Sequence, residues 1–146
     1  MNLYGRAIGD ATPHRFLPGS RGGLFAWETV SACSRVILVE GLFDLAGLWQ
    51  AGFRNTTCAF GTHLTPLQFA QLSDPGGRDV YIAFDQDANR AGQSAARILA
   101  QRLLHAGARA HIVVLPHGHD PNSYFLAGAT PADFLRCLDR AQQVHA

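Results

Sequence analysis

The pattern of apolar and polar positions changes near residue 35. Val36, Ile37, Leu38 and Val39 form an uninterrupted apolar run, as a strand buried on both faces would show. Further strands are predicted at 56–60, 80–84 and 111–115. Between them the spacing becomes helical. Residues 44–50 read as a short helix stopped by Gly52, and Thr65 with Pro66 supplies the cap and first position of another. The longest helix is predicted over 90–105. Ala91, Ala95, Ile98, Leu99 and Leu103 form its apolar stripe and Gly107 its stop. Thr130, Pro131 and Asp133 open a last helix. Alternating strands and helices predict a parallel sheet with right-handed crossovers.

Residues 1–30 read differently. They are rich in Gly and Pro, with short apolar pieces at 4–8, 15–17 and 24–27. Turn chemistry at Pro18, Gly19, Gly22 and Gly23 separates the last two pieces, and the segment is predicted to form a small antiparallel ribbon. The expected organisation is one compact unit: an N-terminal ribbon over 1–34 packed on an α/β domain over 35–146.

Open parallel sheets bind ligands beyond the carboxyl ends of their strands. Glu40 directly follows the first predicted strand, Asp85 the third with Asp87 two residues on, and Asp120 lies just past the fourth. The chain has 11 acidic residues, and these strand ends hold four of them. The predicted helix over 90–105 holds none, so the acids are not scattered for solubility. Gly41 lets a ligand approach the backbone beside Glu40. Asp44 reads equally well as a helix cap and as a site residue. In extended chain Asp85 and Asp87 point to one side, so both reach one hard cation. Such a carboxylate cluster suits phosphoryl transfer, nucleotidyl transfer or phosphodiester cleavage, and does not choose among them. His117 and His119 without thiolates make a weak zinc set; His119 reads as a loop residue able to touch substrate phosphate.

Composition narrows the picture. The chain has 146 residues, 47% apolar and 16% charged, with a net charge of +1. That suits one globular domain and gives no bulk electrostatic case for nucleic-acid binding. All 12 basic side chains are Arg, which excludes Schiff-base and P-loop lysine mechanisms and leaves planar donors suited to phosphate. Cys33, Cys58 and Cys137 have no metal or disulfide spacing and read as buried free thiols. No signal peptide and no membrane-length apolar run is present, so a cytoplasmic protein is expected. Arg15 and Arg21 flank the glycine-rich turn; it reads as a ribbon turn that is also able to carry them to a phosphate backbone.

Glu40-Gly41, Asp44, Asp85-Gln86-Asp87 and Gly92 resemble the acidic motifs of the Toprim domain, shared by DnaG-type primases, topoisomerases and small nucleases. The resemblance covers about residues 35–125. Residues 51–55, 60–65, 87–93 and 115–122 are most similar to the primase branch. Tyr4, Gly5, Arg6 and residues 16–20 look like the segment preceding Toprim in primase-like proteins of phages, plasmids and other mobile elements. The resemblance implies a Rossmannoid α/β core of about four parallel strands flanked by helices, preceded by the antiparallel β segment. It implies a Mg²⁺ or Mn²⁺ site made by Glu40, Asp85, Asp87 and Asp120 with Asp44 assisting, and catalysis by Glu40, Asp85 and Asp87, Glu40 being the candidate general base or acid. It implies nucleotidyl transfer in RNA primer synthesis, with a single-stranded DNA template and nucleoside triphosphates as partners. Arg6, Arg15, Arg21, Arg90, His119 and Asn122 are the candidate contacts to substrate. Asn122 stands where such primases often carry a second acid. The chain is expected to need a zinc-binding module or a helicase on a longer or separate chain. A Toprim nuclease and a degenerate binding module are the alternatives.

Overall fold

The computed structural model describes residues 4–5, 15–16, 22–73, 77–86, 91–116 and 118–145. Strands β1 (Tyr4–Gly5) and β2 (Arg15–Phe16) pair antiparallel, the ribbon expected near the N-terminus. Its third expected piece, 24–27, lies elsewhere. Phe25 bridges to Cys58 at the edge of the main sheet, and Trp27 opens a one-turn helix α1 (Trp27–Val30). The reason is burial: Leu24 and Val30 are packed into the main core, which draws the segment away from the ribbon.

The core is built from β3 (Arg35–Val39), α2 (Leu42–Gln50), β4 (Thr56–Cys58), α3 (Pro66–Leu72), β5 (Asp79–Ala83), α4 (Ala91–His105), β6 (Arg109–Ile112), α5 (Pro121–Leu126), α6 (Pro131–Asp139) and β7 (Gln142–Gln143). The sheet order is β4-β3-β5-β6-β7. Four strands are parallel, and β7 adds an antiparallel edge beside β6. The sequence gives no sign of β7, because both of its residues are glutamines exposed to solvent.

The apolar run of β3 has a direct cause. Val36 and Leu38 face a layer containing Val80, Ile82, Leu99 and Leu103, whereas Ile37 and Val39 face one containing Leu45, Leu48, Val113 and Phe134. Side chains alternate across the sheet with period two, so a strand covered on both faces must be apolar at every position. The expected stripe on α4 is rotated. Ile98 is 60% exposed and Ala91 is exposed, while Gly92, Ala96, Leu99, Ala100 and Leu103 are buried. At its start α4 lies close on the segment that follows β5: a Cβ on Gly92 would stand 2.7 Å from the Asp85 carbonyl oxygen.

One cation ties down the end of the segment over 22–34. Buried Arg78 donates from Nε to the Cys33 carbonyl (3.1 Å), from Nη1 to the Gln71 carbonyl (2.9 Å) and from Nη2 to the Ser31 carbonyl (2.5 Å). Its guanidinium also lies 4.8 Å from the centroid of the Trp27 ring, an arrangement available to a planar cation.

Candidate metal and nucleotide site

The chain passes from β3 through α2 to β4 on one side, then returns to place β5 on the other side of β3. Beyond the carboxyl ends of β3 and β5 such a reversal opens a crevice. A cleft of about 750 Å³ lies there, lined by Glu40, Asp44, Asp85, Asp120 and Asn122 among others.

Carboxylate oxygens of Asp44, Asp85 and Asp120 lie within 4.8 Å of one another. Each is delivered by a different element. Asp85 follows β5. Asp44 sits in the first turn of α2, where its Oδ2 reaches back to accept from the N–H of Gly41, the residue before the helix, at 3.1 Å. Its Oδ1 accepts from the Asn122 N–H at 3.2 Å, which joins α2 to α5. Asp120 caps α5 and accepts from the Ser123 N–H at 2.5 Å. The preceding turn is pinned beside Asp85. The Gln86 N–H donates to the His119 carbonyl (3.1 Å), and the Gly118 N–H donates to the Gln86 carbonyl (3.0 Å).

The electrostatics fit a cation. Asp44 is 7% exposed. Burial pushes its carboxyl up to about 6, with the Asp120 and Asp85 charges adding to the rise and the Asn122 and Gly41 N–H groups opposing it. Gathered carboxylates repel one another and favour protonation until a cation neutralises them. Three oxygen donors from aspartates form a hard set, of the kind that holds a divalent cation while leaving room for water or substrate. Among the described residues the group contains no His or Cys; of the two histidines in the weak zinc set, His117 lies outside the described residues.

Glu40 lines the same cleft but is not in the close triad. Its carbonyl accepts from the Gly61 N–H (2.9 Å) and from the Cys58 thiol (3.3 Å). Burial pushes that thiol up to about 12, so Cys58 is a packing group, as expected of a buried thiol; Cys33 and Cys137 are half-buried. Asn122 lines the cleft, and its side chain rests against Gly47 of α2. His119 Nδ1 lies 3.2 Å from the Ser123 hydroxyl, and the ring is 5.9 Å from that of Tyr124. Arg15 is placed by its backbone, in β2. Asp87, Arg6, Arg21 and Arg90 lie outside the described residues.

Two features escaped the sequence reading. Residues 117–122 read as a loop, yet Pro121 opens a helix. Asp120 followed by Pro121 is the same cap-and-proline signature as Thr65 with Pro66 and Thr130 with Pro131, so the signal was there. The second is an aromatic lining, Phe25, Phe43 and Phe60, which only the tertiary fold assembles.

The family model of the Toprim domain matches residues 35–130. The chain belongs to the Toprim family. The Toprim match spans all four parallel strands and the acidic triad. Among similar proteins, a DNA primase of Aquifex aeolicus is 42% identical over 103 residues, covering 70% of this chain and 20% of that protein. A DNA primase of Chlamydia trachomatis is 35% identical over 162 residues, covering 97% of this chain and 27% of that protein. The crystal structure of the Aquifex aeolicus primase, with its zinc-binding and RNA polymerase domains, superposes with a TM-score of 0.78 at 32% identity, over 95% of this chain and 36% of that one. The chain thus spans 20% to 27% of the length of these two sequence relatives.

Proposed function

We propose that this Toprim domain is the catalytic core of a primase-like protein, carrying out divalent-metal-dependent nucleotidyl transfer in RNA primer synthesis. The observation that carries the proposal is the convergence of Asp44, Asp85 and Asp120 at the strand ends, in a chain whose relatives named above are DNA primases. Those relatives favour priming over nuclease action or a degenerate site.

In this reading Asp44, Asp85 and Asp120 hold Mg²⁺ or Mn²⁺, with Glu40 and Asp87 completing the acidic set. The bound cation supplies charge neutralisation for triphosphate oxygens. The chain's own residues do the positioning. The Gly41 and Asn122 N–H groups fix Asp44, the α5 cap fixes Asp120, and Glu40 is the group to take or return a proton at the cleft. Arg6, Arg15, Arg21 and Arg90, together with His119 and Asn122, are the proposed contacts to phosphate and strand. The substrates are nucleoside triphosphates and a single-stranded DNA template. A zinc-binding module or helicase would come from a longer or separate chain. Residues 1–34 would pack on the domain over 35–146 as its N-terminal segment, the ribbon strands being followed by a stretch that buries Leu24 and Val30 in the core. A replication role in the cytoplasm, on a phage, plasmid or other mobile element, completes the proposal. Among the described residues no helix is long and apolar enough to cross a membrane.

Calorimetric titration with Mn²⁺ tests the site. Asp85→Asn is expected to weaken binding while leaving the thermal transition in place. Unchanged Mn²⁺ affinity in this variant would overturn the assignment.

A further inference from the structure

The cleft that gathers the carboxylates is also aromatic. Phe25, Phe43 and Phe60 line it, and Phe43 and Phe25 are 57% and 38% exposed. Large apolar rings exposed beside carboxylates carry a hydration cost that a ligand would remove. Their supports are those of the acidic site. Phe43 precedes Asp44 in the first turn of α2. Phe60 follows β4, between the Cys58 thiol, which accepts from the Phe60 N–H at 3.3 Å, and Gly61, which is bonded to Glu40. Phe25 is bridged to β4: its N–H donates to the Cys58 carbonyl (3.0 Å), and its own carbonyl accepts from the Thr57 hydroxyl (2.6 Å).

Phe25 and Phe60 meet edge to face, with ring centroids 6.0 Å apart and planes at 86°, a favourable aromatic geometry. Phe60 adopts a φ of 59°. A bulky side chain in the left-handed region is strained, and such strain concentrates at binding sites. Here the backbone is bent where its ring meets Phe25 at the cleft.

We propose that Phe43, with the Phe25–Phe60 pair beside it, forms a stacking platform for a nucleobase whose phosphate lies at the carboxylates. The proposal rests on the functional reading above and deepens it. A nucleotide has a flat aromatic end and a polyanionic end, and this cleft offers phenyl faces together with a cation-binding cluster. Its volume of about 750 Å³ falls in the range of small-molecule sites. Phenyl rings carry no donors or acceptors, so the platform accepts any base without reading its edge. The base belongs either to an incoming nucleotide or to a strand crossing the cleft.

Binding by the full chain in Mn²⁺ distinguishes these sources. The probes are ATP against inorganic tripolyphosphate, and an oligothymidylate against an abasic oligonucleotide of equal length. At least one base-bearing probe is expected to bind about fivefold or more tightly than its base-free counterpart. Phe43→Ala and Phe43→Leu remove that advantage, and Phe43→Tyr keeps it. Loss confined to ATP assigns the base to the nucleotide; loss confined to the oligothymidylate assigns it to the strand. Equal binding of base-bearing and base-free probes by the wild type, an advantage that survives Phe43→Ala, or no binding of any probe overturns the platform. The metal reading fails separately, if tripolyphosphate binding shows no dependence on Mn²⁺. Phe43 is exposed and at a helix start, so these variants are expected to fold.

Discussion

Strand β5 begins at Asp79 and runs out into Asp85, and the two carboxylates sit in opposite surroundings. Asp79 is matched within the chain. Arg109 donates to it from Nε and Nη2, both at 2.8 Å, and His111 Nε2 lies 2.9 Å away. The Arg109 hydrogen bonds hold its carboxyl well below the usual carboxylate range, with burial opposing and His111 helping. Tyr81 stacks on that histidine, 4.6 Å between centroids and 11° between planes. Six residues later Asp85 enters a group of like charges with Asp44 and Asp120. At one end of the strand a carboxylate is matched by an arginine and a histidine, whereas at the other three carboxylates gather within reach of one cation. The difference separates an acid that supports the fold from acids that the fold supports.

The contrast breaks most sharply at Asp120. Asn caps a helix about as well as Asp, so Asp120→Asn keeps the start of α5 while removing one charge from the cluster. Mn²⁺ affinity is expected to fall about tenfold or more, since charge count sets affinity at hard-cation sites, with little change in melting temperature. Calorimetry beside a thermal melt reads both; a collapse of the melt with metal binding intact would place Asp120 in the supporting class. Gly92 tests the same end through packing. A Cβ there meets the Asp85 backbone at 2.7 Å, so Gly92→Ala must push α4 off the strand end. A stability loss of about 1–3 kcal/mol is expected from such overpacking, together with weakened Mn²⁺ binding. Denaturant unfolding measures the first.

Much of the comparison was legible in the residues. The runs at β3 and β5 announce strands covered on both faces, and an acid at the end of each then falls on one sheet edge by topology alone. Asp44 was readable only as cap or site; the helix starts earlier than its residues suggest, so Gly41 holds the cap position while the Asp44 carboxylate, at the third helical position, accepts from the Gly41 N–H and lines the cleft. Helix α5 is six residues long, too short for an apolar stripe, so its cap signature was the sole clue. Ile98 misled because the buried face runs through Gly92, Ala96, Leu99, Ala100 and Leu103, one position round the helix from the expected stripe. The aromatic lining has no sequence signal, since Phe25, Phe43 and Phe60 meet only when three elements converge.

The pH response of the metal-free protein should show both ends with opposite sign. Asp44 binds its proton more tightly folded than unfolded, its carboxyl being raised from 3.8 to about 6. Its contribution to stability is therefore complete below pH 4 and falls away as pH rises toward 6, by about 3 kcal/mol at most. Saturating Mn²⁺ is expected to abolish that decline, since a cation replaces the proton. Denaturant midpoints between pH 4 and 7, with and without Mn²⁺, check this; a metal-free protein that gains stability across the interval would contradict the raised carboxyl.

The smallest effect belongs to Asp79. Its carboxyl is depressed on folding, so its contribution is present at neutral pH and is lost as pH falls below about 4. Arg109 is half exposed, at 51%, and solvent screens the pair, so Asp79→Asn is expected to lower the melting temperature by only about 2 °C at neutral pH. The deficit should shrink in high salt and vanish in acid. Mn²⁺ affinity should not change, because the substitution lies at the far end of β5 from the cluster. A variant that loses Mn²⁺ binding while keeping its melting temperature would join the two ends of the strand electrostatically and remove the distinction between them.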